Sequence, residues 1–213
     1  MSDFPSVRTF NSHPAATVPS ESPLAWTFRQ PVKPVTDKSR VVLREQEFFG
    51  HLLLRGEAVV LDKAVREVLG FSLPGQPLTV TRDSQERYSL QWLSPDEWLL
   101  IVPPGEEFAI ENGLRTLLED AFYSIVNVSG GQTLLTLEGP SARDILMKSS
   151  NYDVHPQNFP VGKGISTVFA NTTALLRRAT DTRWELVVRR SFADYSYRWL
   201  VDAGEEYGIG VAR

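Results

Sequence analysis

The chain repeats itself, and that constrains its fold more than anything else in the sequence. LLLRGEAVVLDKAVREV, starting at Leu52, is followed by YSLQWLSPDEWLLIVPPGEEFAIENGLRTLLED. LLTLEGPSARDILMKSS, starting at Leu134, is followed by TALLRRATDTRWELVVRRSFADYSYRWLVDAG. Gly56 pairs with Gly139, Trp98 with Trp184 and Leu118 with Leu200, each at an offset of roughly 80 residues, as an internal duplication requires.

Periodicity turns the repeat into elements. Leu61, Ala64, Val65, Val68 and Leu69 recur on one face of a helix that ends near Gly70. Tyr88, Leu90 and Trp92 alternate as a half-buried strand does, and WLLIV (98–102) reads as a buried strand. Ile110, Leu114, Leu117, Leu118 and Ala121 mark a second helix, and YSIVNV a strand before the turn SGG. The second copy runs through QTLLTLEG, a Gly139-Pro140 turn, a helix with Ala142, Ile145 and Leu146 inward, and a long loop, NYDVHPQNFPVGKG. Three strands follow, STVFAN, TALLRR and WELVVRR. Ser191 and Asp194 then have the spacing of a capping box, ahead of a last helix that buries Phe192, Tyr195, Trp199 and Leu200. Each copy reads β-α-β-β-β-α, with a strand trailing the first. The expected class is α+β, with helices on one face of an antiparallel or mixed sheet. The boundaries are an extended Pro-rich arm at 1–40, a first α+β repeat at 41–129 and a second at 130–213.

The arm holds six of the 14 prolines, so regular structure is not expected there. It also holds Phe4, Phe10, Trp26 and Phe28, and aromatic anchors are what interfaces favour. Two readings stand: an arm docked on another subunit, or one packed on its own domain or disordered.

The search for chemistry is short. With no cysteine, disulfides, thiol nucleophiles and Cys-held metals are excluded. His13, His51 and His155 have no second ligand at metal spacing. There is no G-x-S-x-G elbow, VGKGIS lacks the upstream glycine of a phosphate loop, and EYGIG opens no dinucleotide-binding unit. Asp96–Glu97 and Glu106–Glu107 read as turn and helix-start charges. Arg177, Arg178, Arg183, Arg189 and Arg190 cluster on the last hairpin. They suit an anion or, preferably, a solvated or interface face, with Arg177, Arg189 and Arg190 as contact candidates. A net charge of −4 gives no basic face for nucleic acid. No secretory leader or membrane span is visible, so the expected location is cytoplasmic. No catalytic, cofactor-binding or metal-ligating residue is assigned.

Three stretches carry a resemblance: LSPDEWLLIVP (93–103), VNVSGGQTLLTLEGPSARDILMKSSNYDVHPQNFPVGKGISTVFA (126–170) and LLRRATDTRWELVVRRSFADYSYRWLVDAG (175–204). With D-x-H-P-x-x-F-P-x-G and R-S-F-A-D-Y, the chain resembles the gamma-subunit family of heterotetrameric sarcosine oxidases. More widely it is similar to the folate-binding domain of the aminomethyltransferase (glycine cleavage T-protein) superfamily, through the joint Leu137-Glu138-Gly139-Pro140-Ser141-Ala142-Arg143-Asp144-Ile145-Leu146. Of that superfamily's G-E-x-G-F/Y-E turn, only Glu185 is kept. The resemblance implies a partner to alpha, beta and delta subunits, docked on alpha. The whole would demethylate sarcosine oxidatively to glycine, yielding hydrogen peroxide and 5,10-methylenetetrahydrofolate or formaldehyde. It further implies FAD, FMN, NAD, tetrahydrofolate and zinc in the other subunits and none in this chain. The alternative is a stand-alone folate-binding, aminomethyltransferase-like protein.

Overall fold

Alternating apolar residues in the strands, and apolar stripes on the helices, build two sheets that each carry helices on one face. The computed structural model describes residues 20–213. In chain order the elements are β1 (Val41–Gln46), β2 (Gly50–Gly56), α1 (Ala58–Leu69), β3 (Val80–Arg82), β4 (Ser89–Ser94), β5 (Glu97–Val102), α2 (Glu107–Leu118) and β6 (Tyr123–Asn127). There follow β7 (Gln132–Glu138), α3 (Ala142–Ser149), β8 (Gly164–Phe169), β9 (Thr172–Arg178), β10 (Arg183–Arg189), α4 (Ala193–Ala203) and β11 (Ile209–Ala212).

One sheet has the order β3-β4-β5-β2-β6, the other β11-β1-β7-β10-β9-β8. The two halves run through the same element order, β2, α1, β3, β4, β5, α2 and β6 matching β7, α3, β8, β9, β10, α4 and β11, although β1 stands beside β7 where β6 stands beside β2. A trailing strand therefore ends both copies, where the sequence showed only the first. The departure from symmetry is β1. It lies antiparallel to β7, with Leu43 opposite Leu137, and parallel to β11, with Leu43 opposite Val211. A boundary at residue 41 assigns β1 to the first repeat, but its hydrogen bonds place it in the second repeat's sheet. Val41 and Leu43 bury their side chains in that half's core.

The layers follow from alternation along the strands. Leu52, Leu54, Leu61, Val65, Leu100 and Leu114 join α1 and α2 to the first sheet. Leu43, Leu137, Ile145, Trp184, Leu186 and Leu200 join α3 and α4 to the second. The opposite faces meet through Leu99, Ile101, Leu134 and Val187, flanked by Phe49, Leu53, Leu93 and Leu175. The result is an α/β/β/α stack. The sheets are also stitched at one corner, where Val80 N–H donates to Gly162 O at 2.7 Å and Gly164 N–H to Leu78 O at 2.9 Å. Glycine is needed at 164 because a Cβ there would lie 2.6 Å from Val80 Cγ2.

Residues 20–40 pack on the second half. Leu24 is buried in its core, Phe28 meets Tyr197 edge-on at 5.6 Å, and Pro34 bridges to Val211 beyond β11. The expected capping box is absent. A 3-10 turn over Arg190–Phe192 sets the start of α4, and its N-cap, Phe192, makes no side-chain cap bond. Asp194 instead accepts from Thr27 Oγ1 at 2.6 Å and from Arg198 Nε at 2.8 Å.

Candidate functional site

Two arginines of the last hairpin, Arg177 and Arg183, face the other sheet. β9 and β10 have both faces covered, so alternation sends Arg177, Arg183 and Glu185 into the layer between the sheets, opposite Arg82 of β3. Arg82 Nη2 donates to Glu185 Oε2 at 2.8 Å, and Arg177 Nε lies 3.1 Å from the same oxygen. Arg183 stands 4.0 Å from Glu185 Oε1 and also pairs with Glu86. Burial works to raise the Glu185 carboxyl, but Arg177, Arg82 and Arg183 outweigh it and hold the group below the usual carboxylate range. Burial pulls the Arg177 guanidinium down to about 10, against the pull of Glu185.

Beside this network opens a cleft of ≈ 440 Å³, lined by Arg44, Arg82, Arg87, Arg183, Glu86 and Glu138 among others. Its ionic groups largely face each other: Arg87 pairs with Glu106, Arg183 with Glu86, and Arg82 with Glu185. Glu185 is held by two arginines, so its carboxylate is committed within the protein. Among the described residues no group of three or more His, Cys, Asp or Glu could hold a metal ion.

The interface candidates fare differently from one another. Arg177 has no exposed surface (0%), which corrects its assignment to a partner contact. Arg189 and Arg190 are exposed, and Arg190 Nη2 donates to Glu21 O at 3.2 Å. Phe28 is half-buried on its own domain, whereas Trp26 is 70% exposed, with Arg29 over its ring at 5.0 Å. Phe4 and Phe10 lie outside the described residues. Sequence reasoning missed Arg82 and Glu86. TVTR placed Arg82 on a strand, but nothing local showed that β3 lies across from β10. It also missed Phe122, 99% exposed between α2 and β6.

The two sequence motifs have structural work. In D-x-H-P-x-x-F-P-x-G, Asp153 Oδ1 accepts from His155 N–H at 2.8 Å and Arg178 Nη1 donates to Phe159 O at 2.8 Å. Phe159, fully buried, then meets Trp184 at 4.9 Å, so the loop closes the core over β10. In R-S-F-A-D-Y, Arg190 and Asp194 hold the segment that carries Glu21 and Thr27.

The sequence profile of the sarcosine oxidase gamma subunit family matches residues 55–206. Sarcosine oxidase subunit gamma of Corynebacterium sp. strain P-1 is 38% identical over 144 residues, spanning 68% of this chain and 70% of that protein. The fold is similar to that of a chain in heterotetrameric sarcosine oxidase from Corynebacterium sp. U-96, solved in complex with pyrrole 2-carboxylate. The TM-score is 0.77 at 29% identity, over 91% of this chain and 99% of that one. Aminomethyltransferase T of the glycine cleavage system from Bartonella henselae shares the fold, with a TM-score of 0.60 at 14% identity over 82% of this chain and 48% of that one. The expected α+β class of two similar halves agrees with both structures.

Proposed function

The chain belongs to the sarcosine oxidase gamma subunit family, and from that membership we propose that it is the gamma subunit of a heterotetrameric sarcosine oxidase. In this reading its role is assembly. It contributes surface to the complex, docked on the alpha subunit, and supplies no group to the reaction. The complex converts sarcosine to glycine, with hydrogen peroxide and 5,10-methylenetetrahydrofolate or formaldehyde as products. FAD, FMN, NAD, tetrahydrofolate and zinc belong to the other subunits, and the assembly works in the cytoplasm. No helix among the described residues is long and apolar enough to cross a membrane.

The observation that carries the reading is the match along nearly the whole of a chain taken from such a heterotetramer. The paired charges of the cleft agree with it, because Arg82 and Arg177 already hold Glu185 and Arg183 is paired with Glu86. Exposed Trp26 and Phe122 offer the aromatic anchors that interfaces use.

The test is to tag this chain, recover it from its native cells and record subunit masses, visible spectrum and sarcosine-dependent peroxide. A yellow complex with three other chains and peroxide release supports the proposal. A colourless single species overturns it, and saturable folate binding by that species would establish the stand-alone alternative.

A further inference from the structure

An unpaired sheet edge offers a row of free N–H and C=O groups to any extended chain. The two sheets have four edge strands, β3, β6, β8 and β11, and three of them are closed. β3 and β8 are stitched at their shared corner, where Thr79 bridges to Lys163 beside the Val80–Gly162 bond. β11 is covered by the segment before β1: Pro34 bridges in parallel to Val211, whose N–H donates to Lys33 O at 2.8 Å. Among the described residues no strand or bridge lies beyond β6.

The hydrogen bonds of β2 fix which groups β6 leaves over. His51 O accepts from Val128 N–H at 2.8 Å and Gly56 N–H donates to Asp96 O at 3.0 Å. Odd-numbered residues of β2 therefore turn their main chain to β6, and even-numbered ones to β5. Leu53 and Arg55 stand opposite Val126 and Ser124, so these two are paired, and Tyr123, Ile125 and Asn127 turn their main chain outward. The Ile125 carbonyl agrees, since it accepts from Arg115 Nη2 at 2.9 Å. On this side a groove of ≈ 760 Å³ runs between α2 and β6, with Phe108, Glu107 and Arg115 on the helix wall.

The chain before β1 leads to this groove. Traced backward it passes Val211 at Pro34, α4 at Thr27 and Glu45 at Ser22. Ser20 then lines a pocket with Ser129 and Gly130, and those two residues also line the groove, just past the Asn127 end of β6. We propose that residues 6–10 add a strand to β6 and close the fourth edge. Entry from the Asn127 end makes the pairing parallel, as it is between Pro34 and Val211. Prolines select the stretch: residues 6–13, between Pro5 and Pro14, are the longest run without one before Ser20. Val7, Thr9 and Phe10 are strand formers, and five residues match the length of β6. The nine residues 11–19 span up to about 30 Å, ample to place that stretch along a five-residue strand. Arg8 is the one Arg or Lys among the first 19 residues, and Glu107 on the groove wall makes no ion pair among the described residues.

The test is amide hydrogen exchange, read residue by residue by nuclear magnetic resonance, on the full chain and its variants Arg8→Pro and Thr9→Pro at two protein concentrations. Neighbouring strand residues turn their donors opposite ways, so one of the two prolines removes a ladder bond in either register. In at least one variant, Ile125 or Asn127 is expected to exchange about tenfold faster than in the parent, and Ser124 and Val126 as before. A nitroxide on Ser6→Cys, the single thiol of a chain without cysteine, is expected to broaden Tyr123 more than Asn127. Outward amides that exchange alike in all three chains, or a label that leaves Tyr123 sharp, overturn the proposal. Protection that rises with protein concentration overturns it in favour of a second copy, and protection found only in the assembled complex in favour of a partner's strand.

Discussion

The Ser22 hydroxyl donates to Glu45 Oε2 across 2.8 Å inside the protein, joining the segment before the first sheet to β1. Thr133 Oγ1 donates to the other carboxylate oxygen, Oε1, at 2.7 Å. Glu45 has no ion-pair partner among the described residues, and burial raises its carboxyl above the usual range despite the two hydroxyl donors. The folded state then holds the proton more tightly than the unfolded chain, so this group's contribution to stability declines as pH rises from about 4.5 through the folded value. Ser22→Ala removes a donor from a buried acceptor and is expected to cost about 1–3 kcal/mol at pH 7. Glu45→Gln is expected to flatten the decline above pH 4.5. Urea unfolding of both variants at pH 5 and pH 7 decides it, and an unchanged pH slope in Glu45→Gln would refute the assignment.

How far the sequence shows the fold depends on which signal each residue carries. α1 is legible because Leu61, Ala64 and Val65 face one core and Gly70, at φ 78, ends the helix. β1 is not, since six residues with Arg44, Glu45 and Gln46 among them look like loop until β7 and β11 flank them. β11 could have been found from the repeat itself, which demands a partner for β6. Arg177 was misplaced because both faces of β9 are covered: Leu176 points to the helices and Arg177 to the other sheet, so alternation shows no polar side. The network around Glu185 joins residues of the two halves, and Arg82 and Glu185 are 103 positions apart. Local pattern does not reach that far.

Breaking the central ion cluster should be costly. Glu185→Gln leaves Arg177 buried with no counter-charge, an expected loss of about 3–5 kcal/mol. Glu185→Gln with Arg177→Met removes the stranded charge as well and should recover part of the loss, because the two sites are coupled. Chemical denaturation reads both. A single variant within about 0.5 kcal/mol of the parent, the range of ordinary surface changes, would show that the cluster carries little.

His51 predicts acid sensitivity of the opposite sign to Glu45. Its folded value of about 4 lies below the ordinary histidine value of 6.5, so between these the unfolded chain binds the proton and the folded one does not. Stability contributed by the neutral ring is complete above 6.5 and is lost as pH falls toward 4, by about 2 kcal/mol between pH 7 and pH 5. His51→Phe removes that slope whatever its effect on absolute stability. An equal slope in parent and variant would count against a buried neutral imidazole.

Two glycines separate conformational strain from steric conflict. At Gly70 a Cβ meets nothing, so Gly70→Ala bears only the left-handed backbone, about 1–2 kcal/mol. At Gly139, φ is +140 and a Cβ would fall 2.2 Å from Arg40 O, so backbone must move. Gly139→Ala is expected to exceed about 3 kcal/mol or to prevent folding. Thermal melts of the pair check the order, and equal losses would contradict the close approach.

Trp26 and Phe28 are two positions apart and divide folding from assembly. Phe28 packs edge-on against Tyr197, so Phe28→Ala should lower the melting temperature of the chain alone. Trp26 leaves most of its surface to solvent, and Trp26→Ala should change stability by no more than about 0.5 kcal/mol. If the proposed docking uses Trp26 as an anchor, the same substitution should weaken association with the other subunits by about 2 kcal/mol or more, as loss of an interface hot spot does. Melting curves of each variant, beside co-purification yields with tagged alpha subunit, give both readouts from one set of proteins. A Trp26→Ala chain that assembles as tightly as the parent would remove Trp26 from the interface and move attention to Phe122, the most exposed aromatic on the first half.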